Sequence, residues 1–259
     1  MPRIKEFNVD RLMVKSYDSR LSMGAAAAQD IAAEIQALLH DKDEISMIFA
    51  AAPSQSEMLE ALCTYREIPW NRVNAFHMDE YRGLSADAPQ SFGSFLKEWV
   101  FGRLPFQSVN YINGGGRDSE AECARYSALL CEHPVDIVCM GIGENGHIAF
   151  NDPPVADFND PVLVKEVTLD AVCREQQVHD GCFACLEDVP RQALTLTVPA
   201  LMQGGALFCV VPAATKAQAV HDMLLGAVDE HCPASVLRGH GHAQLYLDNE
   251  SSGLIHNIK

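Results

Sequence analysis

The chain has 259 residues, 48% of them hydrophobic, enough for one large α/β domain with a sizeable core. Its formal net charge of -16 repels phosphodiester backbones and anionic headgroups, which excludes nucleic acid and the membrane surface as expected partners. No stretch approaches the roughly 20 apolar residues of a membrane span, and the charged opening Met1-Pro-Arg-Ile-Lys-Glu6 does not read as a signal peptide.

Taken in order, residues 1–20 predict an edge strand or arm around Arg11 to Lys15. A helix follows from Ser22, with alanines in its first turns and Ile31, Ile35, Leu38 and Leu39 on one face. Ile45 to Ala52 reads as a buried strand ended by Pro53. Ser54-Gln-Ser-Glu57 then has the spacing of a capping box, opening a helix through Met58, Leu59 and Leu62. Such a junction presents free backbone N–H groups and a positive dipole end, suited to a phosphate. Arg72 to His77 is the next strand, running straight into Met78-Asp-Glu-Tyr81. A helix from Ser91, a short strand over Val109 to Ile112 and an Asp118-capped helix to about Glu132 complete the first half.

Val135 to Met140 has the length and β-branched content of a buried parallel strand. Beyond Pro154 the pattern is irregular until a strand at Val162 to Thr168, and Arg174 to Gln177 falls in a polar connection. Ala193 to Val198 and Leu207 to Val211 are further strands. Thr215 caps a helix that starts with Lys216, Pro233 to Leu237 is a short helix, and Ala243 to Leu247 is the last strand. Strands alternate with helices, with no repeat or linker, so residues 1–259 are expected to form one doubly wound, mostly parallel, Rossmann-like three-layer α/β domain.

The nine cysteines are an odd count, and Cys123, Cys131, Cys139 and Cys209 lie in helical or apolar runs, as reduced thiols of the cytoplasm do. Cys173, His179, Cys182 and Cys185 have ligand-like residue types and include a Cys-x-x-Cys pair. Without a second well-spaced pair they read as free thiols in a polar loop in preference to a zinc site.

The stretch after Met140 carries the chemistry. Gly141, Gly143 and Gly146 spell G-x-G-x-x-G, but a dinucleotide fingerprint needs a helix to run on from the third glycine. Pro153 and Pro154 interrupt within two turns, and an interior proline costs about 3 kcal/mol. What the loop delivers instead is Asn145, His147 and Asp152 at the carboxyl edge of a strand, where open α/β sheets bind ligands. With Asp79 at another strand end, these are groups for proton transfer: imidazole titrates near neutrality, and a carboxylate beside it fixes its tautomer. No serine or cysteine occupies a nucleophile elbow, and the motif offers too few ligands for a metal.

Met78-Asp-Glu-Tyr81 and Gly141-Ile-Gly-Glu-Asn-Gly-His-Ile-Ala-Phe-Asn-Asp-Pro153 resemble the two signatures of the glucosamine-6-phosphate deaminases, which share a superfamily with the 6-phosphogluconolactonases. Val189-Pro-Arg-Gln-Ala-Leu-Thr195, Lys216 with its helix, and Cys232-Pro-Ala-Ser-Val-Leu237 extend the similarity along most of the chain. Tyr81 and Phe150-Asn151 stand where lactonases carry other residues. The resemblance implies conversion of a hexosamine 6-phosphate, foremost glucosamine 6-phosphate, to fructose 6-phosphate and ammonia, with galactosamine 6-phosphate as a related substrate and no metal or redox cofactor. It implies Asp79 as the base between C2 and C1, and His147, oriented by Asp152 and Asn145, as the ring opener. Lys216 and the turn Ser54, Gln55 and Ser56 would hold the phosphate, with Tyr81 and Gly146 nearby. Two other outcomes stay open: a sugar-lactone phosphate hydrolase and a non-catalytic sugar-phosphate sensor. Family members range from monomers to hexamers, so a homo-oligomer is also open. The family departs here at four places: asparagine at 145, aspartate in place of glutamate at 152, Ser54-Gln-Ser-Glu57 in place of a glycine-rich turn, and no arginine near Gln177 but Arg174.

Overall fold

The computed structural model describes residues 3–255. Met1 and Pro2, where the charged opening begins, and positions 256–259, which complete the expected 1–259 domain, lie outside the described residues.

The elements in chain order are β1 (Arg3–Val9), β2 (Leu12–Tyr17), α1 (Arg20–Asp41), β3 (Ile45–Phe49), α2 (Ser56–Leu62), β4 (Val73–His77), β5 (Asp79–Tyr81) and α3 (Phe92–Leu96). Then come β6 (Ser108–Asn110), α4 (Ser119–Glu132), β7 (Ile137–Met140), β8 (Val164–Thr168) and α5 (Ala171–His179). β9 (Gln192–Leu196), α6 (Val198–Met202), β10 (Ala206–Val211), α7 (Ala217–Leu225) and β11 (Ala243–Leu247) complete the series.

Eight strands form one sheet in the order β1-β2-β11-β10-β7-β3-β4-β6. Every neighbouring pair is parallel except the hairpin of β1 with β2. The arm expected around Arg11 to Lys15 is therefore corrected: β2 is an inner strand against β11, and β1 is the edge. Alternation along the strands feeds two apolar layers. Met47, Phe49, Ile137 and Cys139 face α1 and α2, where Ala27, Ile31 and Ile35 pack. Ile48, Phe76, Val138 and Cys209 face the opposite layer with Tyr126, Val220 and Leu224. The result is helix–sheet–helix, as the alternating pattern predicts.

From β3 the chain winds outward through β4 and β6, then returns to the other side of β3 as β7 and continues to β10 and β11. The reversal falls between β3 and β7, so the carboxyl ends of these two strands open a crevice, the usual ligand position in a doubly wound sheet. A second, antiparallel sheet, β5-β9-β8, stands beyond that edge and was not foreseen. It forms because Met78-Asp-Glu-Tyr81 pairs with β9 instead of remaining a loop.

Three local readings are also corrected. Arg174 to Gln177 lie within α5, whose start is capped by the Asp170 side chain accepting from Val172 N–H. Thr215 does not cap α7; Lys216 occupies the cap position without a side-chain bond, after a 3-10 turn. The capping box at Ser54 does not form, because Glu57 is taken by Arg20, whose Nε and an Nη donate to it at 2.8 and 2.9 Å.

Candidate active site

A cleft at the β3/β7 reversal is lined by Ala50 to Ala52, Ser54, Gln55, Asp79, Gly141, Ile142, His147 and Ala149, closed by Gln176, Gln177 and Asp180 of and just after α5. It brings Asp79 and His147 together, although 68 positions separate them in the chain (147 − 79).

Asp79 is the first residue of β5. Side chains alternate along a strand, and Glu80 turns away to accept hydrogen bonds from the N–H groups of Tyr81, Phe92 and Gly93 at 2.9, 3.1 and 2.9 Å. Burial, with the Glu80 charge adding to it, holds the Asp79 carboxyl well above the usual carboxylate range. Such a group binds a proton more readily than a free aspartate does, which is what a general base at neutral pH requires.

His147 lies on the glycine loop with its orientation set from behind. Its Nδ1 is 2.8 Å from Asn145 Oδ1 and 2.9 Å from Asp152 Oδ1. Asn145 Oδ1 also accepts from the backbone N–H of His147 at 3.1 Å, while its Nδ2 donates to Asp152 Oδ1 at 2.9 Å. A backbone N–H only donates, so the asparagine oxygen must face it, and both partners of Nδ1 are then acceptors. The proton of the neutral ring therefore belongs on Nδ1, which leaves Nε2 unprotonated for the cleft. Burial alone would push the Asp152 carboxyl up, but the nearby imidazole and the hydrogen bonds from His147 and Asn145 outweigh it, and its pKa is lowered. Although one methylene shorter than a glutamate, Asp152 reaches the ring.

The glycines serve this packing. A Cβ on Gly143 would lie 2.1 Å from the His147 ring, so the imidazole rests directly on that backbone. Gly146 adopts φ +79°, and a Cβ there would press on Cys232 Sγ at 2.6 Å. The loop is tied to β9: Thr195 Oγ1 accepts from Phe150 N–H, and Asn151 Nδ2 donates to the carbonyls of Ile148 and Leu196. Ala149 is held at φ 49° and Ala213 at φ 81°, conformations that cost about 1–3 kcal/mol and concentrate at functional sites. Ala149 lines the cleft and Ala213 precedes the turn bearing Lys216.

Lys216 is 4% exposed, and its Nζ has no hydrogen-bond partner. Burial lowers its pKa, against the opposing charges of Asp180 and Glu144 and the Cys173 thiol. Nearby, Gln55 Nε2 donates to Val210 O and Ser54 Oγ, both at 3.1 Å, while its Oε1 is buried and unpaired. Lys216 is not itself in the lining, but it feels the charge of Asp180, which is, and a buried ammonium with no partner is suited to an anion.

The other residues singled out from sequence stand further back. Tyr81 is fully buried and donates from its hydroxyl to Gln177 Oε1 at 2.7 Å, so it meets the cleft through that glutamine. Ser56 starts α2 outside the lining, and Gly146 acts by backbone shape. Arg174 is turned away, donating from an Nη to the carbonyls of Leu186 and Val189 at 2.5 and 3.0 Å, so it is not in the cleft. Sequence reasoning missed Gln176 and Asp180, because α5 buries cysteine and glutamines and shows no apolar period. Asp170 as an N-cap was the signal that could have revealed the helix. Cys173, His179, Cys182 and Cys185 do not converge. Cys173 instead belongs to a group with His147 and Asp152 whose donor atoms lie within 4.8 Å of one another. Burial and the Asp152 charge push the pKa of that thiol up.

This fold and cleft define a doubly wound α/β protein with a buried carboxyl, an oriented imidazole and a buried lysine near one sheet edge. Residues 18–246 match the sequence family described as glucosamine-6-phosphate isomerases/6-phosphogluconolactonase. The chain is 35% identical over 212 residues to a glucosamine-6-phosphate deaminase of Listeria innocua, covering 82% of this chain and 88% of that one. A glucosamine-6-phosphate deaminase of Bacillus thuringiensis is 37% identical over 184 residues, 71% of this chain and 68% of its own. Among solved structures, a monomeric glucosamine-6-phosphate deaminase superposes with a TM-score of 0.84 at 27% identity, over 93% of this chain and 99% of that chain. A 6-phosphogluconolactonase from Thermotoga maritima shares the fold, with a TM-score of 0.75 at 21% identity over 92% and 100% of the two chains. The chain belongs to the glucosamine-6-phosphate isomerase/6-phosphogluconolactonase family. No helix among the described residues is long and apolar enough to cross a membrane.

Proposed function

We propose that this protein is a hexosamine 6-phosphate deaminase, acting on glucosamine 6-phosphate or its galacto epimer to give a ketose 6-phosphate and ammonia. The observation that carries the reading is one cleft lined by both a buried carboxyl, Asp79, and the unprotonated nitrogen of an oriented imidazole, His147, with a buried unpaired lysine, Lys216, behind the lining and within reach of the charge of Asp180.

The chemistry follows from those groups. His147 Nε2 takes the proton of the anomeric hydroxyl and returns it to the ring oxygen, which opens the pyranose to an aldehyde. Asp79 then removes the proton from C2, where the aldehyde makes it acidic, and delivers it to C1. The enolamine so formed becomes a ketose imine, and water hydrolyses it, releasing ammonia and leaving the C2 carbonyl. Every step is a proton transfer or a hydrolysis, so oxidation states balance without a redox partner. Lys216 supplies the charge for the phosphate, with the Ser54 hydroxyl, which accepts from Gln55 Nε2, as a neutral donor. Gln177, near the family's arginine position, contributes a neutral amide held by Tyr81.

Purified protein is expected to release ammonia from glucosamine 6-phosphate or galactosamine 6-phosphate in stoichiometric amount with the ketose phosphate. Acid release from 6-phosphogluconolactone with no ammonia from either amino sugar would assign the lactonase chemistry instead. Binding of these phosphates without turnover would assign a sensor.

A further inference from the structure

On α5, Cys173, Gln176 and Gln177 are buried on one face at helical spacing, i, i+3 and i+4. The glutamines already have work at the cleft. Gln176 Oε1 accepts from Glu144 N–H at 2.8 Å, and Gln177 accepts from Tyr81. One turn earlier, Cys173 is fully buried and brings Sγ within 4.8 Å of the His147 ring nitrogen and an Asp152 carboxylate oxygen.

The two oxygens of Asp152 are unequally used. Oδ1 meets both His147 Nδ1 and Asn145 Nδ2, while Oδ2 is buried and has no hydrogen-bond partner. Asp152 is 1% exposed, so bulk water does not supply the missing donor. A carboxylate held through one oxygen can swing about its terminal torsion, and the oxygen that orients the imidazole swings with it.

We propose that Cys173 is a positioning residue for the proton relay, its thiol donating to Asp152 Oδ2 and so holding Oδ1 against His147 Nδ1–H. The thiol suits this because it stays protonated, and a protonated thiol beside a carboxylate can only donate. Without the second anchor the carboxylate rotates and Nδ1–H is left to Asn145 Oδ1 alone, so the Nε2–H tautomer is populated more and Nε2 is less often free to take the anomeric proton. The kinetic side rests on the deaminase reading above; the tautomer side does not.

The test compares Cys173→Ala, which removes the donor, with Cys173→Ser, which keeps one. Two readouts are used: steady-state deamination of the better hexosamine 6-phosphate, and 15N chemical shifts of the His147 ring in the full-length protein without substrate. The alanine variant is expected to lose about tenfold in kcat, as for one net hydrogen bond to a charged group, with KM within about twofold. Its ring nitrogens should report mixed tautomers, and the serine variant should restore both kcat and the Nδ1–H form. An alanine variant with unchanged kcat and a single Nδ1–H tautomer overturns the proposal. A serine variant as impaired as the alanine one does so too, because volume and not donation would then matter. If Cys173→Ala does not fold, Cys173→Val takes its place against serine in the same two measurements. If wild-type protein turns over neither amino sugar, the function reading fails and the tautomer comparison still decides the role of Cys173.

Discussion

The two ends of the cleft are built on opposite terms. At the relay end, His147, Asn145 and Asp152 Oδ1 are joined by a closed set of hydrogen bonds, and the backbone of Gly143 supports the ring from below. At the anion end, the ammonium of Lys216 is buried with no partner. A buried polar group left unmade costs about 1–3 kcal/mol, so the second end is one that a ligand completes, while the first is organised in advance. The difference assigns consequences: damage to the relay end should appear in kcat, and damage to the anion end in KM.

The largest expected effect is at Asp79. Asp79→Asn should lower kcat by about a thousandfold, within the range for a general base, with substrate binding still measurable by calorimetry. A variant retaining wild-type kcat removes the base assignment. The same substitution reads the cost of burying the acid. The folded carboxyl has a pKa raised above its unfolded value. Below the unfolded pKa both states are protonated and it costs nothing; as pH rises through the folded pKa the penalty grows to its full size. Asp79→Asn should therefore melt higher than wild type at pH 7 and with no such advantage near pH 3. Thermal melts at the two pH values check the sign.

Next is the support of the imidazole. Gly143→Ala would place a Cβ inside the His147 ring, so the ring or the loop must move by more than 1 Å. Misplacement on that scale costs about a hundredfold in rate, and KM should change little because Lys216 is untouched. A KM effect equal to the kcat effect would mean that the two ends are not separable.

How much of this was legible in the residues depends on how local the determinant is. The parallel strands announce themselves as apolar runs between glycines and prolines, and β7 and its loop carried the site almost unaided. The capping box failed because its Glu57 is captured by Arg20, 37 positions earlier, a contact no local spacing encodes. The small sheet β5-β9-β8 was invisible for the same reason: Asp79 to Tyr81 become a strand only because Ala193 to Thr195 pair with them. α5 hid because its buried face is glutamine and cysteine, residues that show their value only beside the cleft.

At the anion end the expected loss is smaller. Lys216→Ala should raise KM for the sugar phosphate about tenfold, the size of one charge-assisted contact, with kcat within about threefold. Unchanged KM would put the phosphate elsewhere. Burial lowers the folded pKa of this lysine below the ordinary value of 10.5, so the charged form is lost as pH rises through the lowered pKa. Affinity for inorganic phosphate, followed by its stabilisation of the wild-type melt, should fall on the alkaline side earlier than a free lysine would lose its charge. In Lys216→Ala the phosphate effect should be weak at every pH.

The smallest expected effect on the reaction is at Arg174, where residue type and position part company. An arginine close in sequence to Gln177 looks like a phosphate ligand, yet its guanidinium is spent on the carbonyls of Leu186 and Val189, tying α5 to the segment that leads into β9. Replacing it with alanine leaves the Val189 carbonyl without its donor and the Leu186 carbonyl with only the Val189 N–H, and should cost about 2 kcal/mol of stability, a drop of roughly 4–8 °C in Tm at about 2–4 °C per kcal/mol for a chain of this size. KM should stay within about twofold, because the Arg174 guanidinium does not line the cleft and Lys216 Nζ is untouched. A tenfold rise in KM with an unchanged melt would show that Arg174 turns into the cleft when the phosphate arrives, and the anion end would then carry two cations, one of them mobile.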